Sequence, residues 1–343
     1  MKRLFFLASL AVLAILAILG LIANRSLNAP LDVPDDGMTF VIRPGMSFTA
    51  VSNSLAEQGI VARPRILRWY GSVTGKASSV QAGEYRITKD MSARDLLQAF
   101  LSGNVQLYSF AIIEGWNFRE LLAAMAGNDA IQSTLTVEDV PRLLDELETE
   151  FEHPEGLFLP ETYRFPRGTP DIDVLREAYV LMQKVLAEEW PARDPAVPFS
   201  SPYEALILAS IVEKETARED ERHRIAGVFV RRLEKRMRLQ TDPTVIYGIG
   251  PGFNGNLTRT DLRSDSPYNT YTRGGLPPTP IAMPGRKAIR AVLHPEPGAE
   301  LYFVATGLGD GSHRFSETKE QHDAAVREFL ARQRADRQAA KGQ

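Results

Sequence analysis

The chain has 343 residues, 40 Lys and Arg against 43 Asp and Glu, a net charge of −3, and no cysteine. That length suits about two domains of ~150 residues each. The balanced charge, with no basic block and no basic–aromatic interleaving, argues against nucleic acid as a partner. Lack of cysteine excludes disulfides, thiolate chemistry and cysteine-held metals, and the five histidines show no metal-ligand spacing.

A bilayer is crossed by about 20 apolar residues in a helix, and residues 4–23 form an uncharged run of that length. Lys2 and Arg3 precede it, so the positive-inside rule puts the N-terminus in the cytoplasm and the bulk of the chain across the membrane. A cleaved signal peptide is the rival reading; its apolar core is normally shorter, and no clean small-x-small cleavage site follows. The anchor region is therefore set at residues 1–24, followed at 25–38 by a polar stretch with Pro30 and Pro34 that reads as a linker.

Residues 39–106 hold short elements: a strand at 39–43, helices at 47–58 and 65–73, a strand at 83–87, and a helix capped by Ser92 that stops at Gly103. This is β-α-α-β grammar, with Ser or Asn as recurrent N-caps. Residues 107–343 read as a larger mixed α+β domain. Its middle is mainly helical, with an amphipathic helix at 174–190 and an aromatic, proline-broken loop from Glu155 to Tyr163. Two adjoining helices cover 203–237; loops dominate thereafter, up to a strand at 301–305 and a polar helix at 316–334.

The helix ending Ile211-Val212-Glu213-Lys214-Glu215-Thr216 carries the feature richest in chemistry. At about 100° per residue, Glu215 stands beside Leu208, Ile211 and Val212, whereas Glu213 falls nearly opposite. A carboxyl among aliphatic side chains at a helix C-terminus is held towards its neutral, proton-donating form. Thr216-Ala217-Arg218-Glu219 has capping-box spacing and predicts a second helix starting just after Thr216. Loops further on pair Tyr with Asn, Gln, Thr and Asp, which suits a sugar cleft. One carboxyl can then serve as acid and as base; a two-carboxylate hydrolase would draw on Asp242 or Glu161.

The run just quoted is followed by Arg238-Leu239-Gln240-Thr241-Asp242-Pro243-Thr244, Tyr268-Asn269-Thr270-Tyr271, Gly275-Leu276-Pro277-Pro278 and Leu301-Tyr302-Phe303-Val304. In this order the motifs resemble the YceG-like (MltG) family, membrane-anchored endolytic murein transglycosylases, over essentially the whole chain. The resemblance implies a LysM-like subdomain at 39–106 and a catalytic domain at 107–343, with Glu215 as catalytic residue. It implies cleavage of the MurNAc–GlcNAc bond inside nascent peptidoglycan strands, leaving a 1,6-anhydro end, with no metal or cofactor. Gln240, Asp242, Tyr268, Asn269, Tyr271 and His313 are the expected substrate-cleft residues, although Asp242 also suits a turn cap. The expected partners are glycan strands, the membrane and the peptidoglycan synthases (penicillin-binding proteins). The expected location is the bacterial inner membrane, with the catalytic domain periplasmic. Two alternatives stand beside this: a muramidase-type hydrolase of the same bond, and a non-catalytic wall-binding tether.

Overall fold

The structure, a computed structural model, describes residues 2–341. The chain divides into two compact units, 1–108 with 164–169, and 109–163 with 170–343. Both mix helices with short strands, and among the described residues the strands pair only two by two. Such ladders are marginal alone and depend on helices packed over them.

The first unit starts with α1 (Lys2–Asn28), then β1 (Met38–Ile42), α2 (Phe48–Glu57), α3 (Pro64–Val73), β2 (Gly83–Ile87) and α4 (Ala93–Ser102). The antiparallel β1–β2 ladder pairs Phe40 with Tyr85, so alternate residues of both strands enter one core. There Tyr85 meets Phe100 edge-on at 4.6 Å. Ser47 caps α2, and Ser92 with Asp95 forms a reciprocal capping box on α4. Helices α2 and α3 touch through Gly71, where a β-carbon would stand 2.4 Å from the Phe48 ring.

Helix α1 contains a 20-residue stretch, Ser9–Asn28, apolar enough to cross a membrane. Its large side chains face outward, Phe6 at 68 % and Leu13 at 63 % exposure, which suits lipid and not water. The stretch at 25–38 is not a free linker. Helix α1 runs on to Asn28, and Leu27, Leu31 and Val33 are buried in the first unit's core. The Leu31 amide donates to the Met91 carbonyl at 2.9 Å, and Pro30 bridges to Ser92. Its prolines and charges hide three apolar residues that find a hydrophobic wall.

The chain enters the second unit within β3 (Leu107–Ala111), and continues through α5 (Phe118–Ala126), β4 (Ile131–Gln132), α6 (Val140–Glu146), β5 (Thr162–Pro166), β6 (Thr169–Pro170) and α7 (Asp171–Glu189). Then come α8 (Pro202–Glu215), α9 (Glu219–Glu234), α10 (Asp242–Ile249), α11 (Arg286–Leu293), β7 (Tyr302–Ala305), β8 (His313–Ser316) and α12 (Lys319–Lys341). Helix α8 is the hub, with α9, α10 and α11 packed on it. Helices α10 and α11 and strand β8 fall where the sequence read as loop. Helix α11 is short, but its Ala288, Ile289, Ala291, Val292 and Leu293 are all buried, so tertiary packing and not length sustains it.

Candidate active site

Every residue of α8 from Ala205 to Val212 is buried, so this helix has no solvent face on which to sort its glutamates. The expected contrast between an inward Glu215 and an outward Glu213 is therefore wrong. What separates them is partners. Glu213 is buried against Arg222, its Oε1 3.5 Å from Nη2, and its Oε2 accepts the Gly285 amide at 2.9 Å. Burial raises its pKa, and the Gly285 bond and Arg222 oppose the rise. It is a structural ion pair holding α8 to α9 and the start of α11.

Glu215 is the last residue of α8. The expected capping box beyond it does not form: Arg218 is the N-cap of α9, and the Thr216 hydroxyl instead accepts the Arg218 amide at 3.0 Å. The Thr241 hydroxyl donates to Glu215 Oε1, and among the described residues no other side chain is bonded to its carboxyl. Desolvation pushes the Glu215 pKa up most strongly; the Thr241 bond opposes this, Asp242 adds to it, and His313 and Arg232 draw it back. The carboxyl is thus held towards its protonated form, with two cationic or polarizable groups near enough to favour its charged form once the proton has gone.

Four segments build this corner. Arg232, buried on α9, donates to the carbonyls of Leu239 at 2.7 Å and Leu301 at 2.6 Å, which pins the segment leading into α10. Gln240 there has φ +52°, a left-handed conformation sparsely populated by residues with a side chain. That twist lets the buried Thr241 turn inward, its amide donating to Thr270 Oγ1 at 3.1 Å. Asp242 opens α10 and accepts the Tyr271 hydroxyl at 2.5 Å. His313, on β8, is held through its amide and Nδ1 by Glu221 of α9, at 3.0 and 2.8 Å.

A cavity of about 1000 Å³ lies in the same unit, lined by α10, the start of α5 and the loop at Glu155. Lys214 and Pro243, chain neighbours of Glu215 and Asp242, stand on its wall. Glu155 is 2 % exposed; its Oε1 accepts the first amide of α5, Phe118, at 2.9 Å, and its Oε2 accepts the Tyr247 hydroxyl at 2.9 Å. Desolvation lifts its pKa to about 8 against those two bonds. Tyr247 packs edge-on against Tyr268 at 4.9 Å, and Tyr268 shares a hydrogen bond with Thr279 at 2.9 Å.

Of the expected cleft residues, Asp242, Tyr271 and His313 gather around Glu215, and Gln240 supplies the backbone twist beside it. Tyr268 lies on the cavity wall with Tyr247. Asn269 is fully buried and bonded within its own loop, donating to the Asp261 and Ser264 carbonyls and accepting the Tyr271 amide. It shapes the loop from inside and cannot meet a ligand. Glu161, the other carboxylate considered, is exposed and accepts the Thr162 amide. The sequence reading missed Thr241, Arg232, Glu155 and Tyr247 as site residues. Thr241 stands inside a quoted motif, and Glu155 opens the aromatic loop already singled out, so the signal for both was position next to chemistry.

A profile of the YceG-like family matches residues 40–328. An endolytic murein transglycosylase of Bacillus subtilis (strain 168) is 30 % identical over 307 residues, covering 84 % of each chain. One from Streptococcus pneumoniae D39 is 28 % identical over 326 residues, covering 85 % of this chain and 58 % of its own longer one. A solved YceG-like protein of Listeria monocytogenes superposes with a TM-score of 0.54 at 28 % identity, over 85 % of this chain and 99 % of its own. The profile spans most of the chain, and the chain belongs to the YceG-like family.

Proposed function

We infer that this chain is an endolytic murein transglycosylase, a lyase that cuts peptidoglycan glycan strands internally, as its relatives are named. The observation that carries the mechanism is Glu215: a desolvated carboxyl at a helix end, with one oxygen held by Thr241 and, among the described residues, neither paired with a cation. In this reading the protonated Glu215 gives its proton to the glycosidic oxygen leaving with GlcNAc, and the C1–O bond of MurNAc breaks. The resulting carboxylate then takes the proton of the MurNAc C6 hydroxyl as O6 bonds to C1, which closes the 1,6-anhydro ring and restores the acid. No water is consumed. Arg232 and His313 favour the carboxylate between the two steps, and Thr241 fixes its rotamer. Asp242, close enough to raise the Glu215 pKa, supports the hydrolytic alternative, in which it would activate water.

The same reading takes α1 as a single-pass anchor in the bacterial inner membrane with the rest of the chain periplasmic, supported by Lys2 and Arg3 before the apolar run. It takes the β1-α2-α3-β2 order of the first unit as LysM-like, a module for glycan. It places the enzyme beside the penicillin-binding synthases that make its nascent substrate. Mass spectrometry of a peptidoglycan digest tests the reaction: anhydro ends support it, and ends heavier by one water reject it for hydrolysis.

A further inference from the structure

The first unit has a pocket of about 430 Å³ where α1 leaves its apolar run. Ile22 and Arg25 of α1, Asp32 after it, and Ile60, Val61 and Arg63 from the turn between α2 and α3 line it. From Ala23 to Asn28 the helix rises about 7.5 Å. A headgroup layer is roughly 5–8 Å thick on each side of the hydrocarbon. Burial of Leu27 in the unit's core fixes the pocket to that stretch of helix, so its mouth lies at headgroup depth once residues 4–23 span a bilayer.

Its chemistry fits that depth. Among the described residues, neither Arg25 nor Arg63 has an ion-pair partner, and both are exposed. Ile22, Ile60 and Val61 give an apolar floor for the first carbons of an acyl chain, and Asp32 adds one acceptor. Helix α3, which begins at Pro64 after the N-cap Arg63 and has no side-chain cap, packs against α1 and presents Trp69 at 57 % and Val73 at 67 % exposure. Exposed Trp and Val beside Arg65 and Arg68 are side chains of a membrane–water interface.

We propose that this pocket is a phospholipid site: Arg25 and Arg63 hold the lipid phosphate, and Asp32 accepts from a hydroxyl or ammonium at the far end of the headgroup. The proposal rests on α1 spanning the membrane. It makes the first unit a membrane-surface module as well as a part of the enzyme.

The test is native mass spectrometry of the full chain released from nonionic detergent with phosphatidylglycerol, phosphatidylethanolamine or phosphatidylcholine of matched acyl chains. Choline carries no N–H or O–H for Asp32, so the first two lipids are expected to be retained over the third. Arg25→Gln and Arg63→Gln are each expected to cut their retention about fivefold, and Arg43→Gln, elsewhere in the unit, to leave it unchanged. Asp32→Ala should bring the three lipids level. Equal retention by the wild type, unchanged retention in the two arginine variants, or an equal loss with Arg43→Gln would overturn the site. So would displacement by excess inorganic phosphate, which marks a free-anion site and not a lipid one. Alkaline extraction of membranes carrying the full chain is read alongside: release into the wash refutes the anchor itself, whereas a retained chain without lipid preference refutes the pocket alone.

Discussion

Two desolvated carboxyls of the second unit, Glu155 and Glu215, are treated differently. Glu155 has both oxygens bonded, one to the first amide of α5 and one to the Tyr247 hydroxyl on α10. Among the described residues, Glu215 has only the Thr241 hydroxyl. Desolvation raises the pKa of each. A carboxyl with two fixed donors is a brace between two cavity walls; a carboxyl with one is aimed and still has an oxygen to offer. Desolvation is common to both, so in the proposed mechanism it is the number of partners that distinguishes the acid from a strut.

The strongest way to break this contrast is Glu215→Gln. The glutamine keeps the shape and the Thr241 contact but gives no proton, so release of anhydro ends should fall at least about 100-fold while circular dichroism is unchanged. Activity within a few-fold of wild type would remove Glu215 from the chemistry. Arg222→Ala probes a further buried glutamate, Glu213, which is paired with a cation. It strands Glu213 without its cation, and unfolding of the full chain in micelles should show about 3–5 kcal/mol of lost stability. A loss below about 1 kcal/mol would mean that the pair is not structural.

Thr241→Ala sharpens the aim. The Thr241 bond lowers the Glu215 pKa, so its removal should move the alkaline fall of kcat/KM to higher pH, because the acid form survives further, and reduce kcat about tenfold. An unmoved limb would show that this hydroxyl does not touch the working carboxyl. Glu155→Gln should change activity least, and its effect is visible in stability against pH. The unfolded carboxyl titrates near 4.5 and the folded one at about 8, so between those values the fold holds the extra proton. Stability should then fall as pH rises through that window, by up to about 1.4 kcal/mol per unit from this group, and level off above it. The glutamine variant should lose that slope; an identical slope would place the proton elsewhere.

Much of this was legible in the sequence, for reasons that vary from element to element. Ser92 announced its helix because a cap is local chemistry, and in the structure it forms a reciprocal box with Asp95. Thr216 had the same spacing and failed: Arg218 is the N-cap of α9, and the Thr216 hydroxyl accepts the Arg218 amide instead. Glu215 was chosen from a helical wheel, yet α8 is buried from Ala205 to Val212, so the wheel's contrast of an inward and an outward glutamate has no basis in the fold. Arg232 and Thr241 were not legible because their roles arise from contacts across 69 and 26 residues of chain. The residues at 25–38 read as linker because composition registers prolines and charges and overlooks three leucine and valine side chains at helical and extended spacings.

That last segment has a mechanical consequence. Because Leu27 sits in the core of the first unit, the unit is bolted to α1 and not leashed to it. Helices tilt to match the thickness of the bilayer they cross. With α1 spanning a bilayer as proposed, any such tilt would turn the first unit through the same angle, so the attitude of its outer face would follow the lipid thickness.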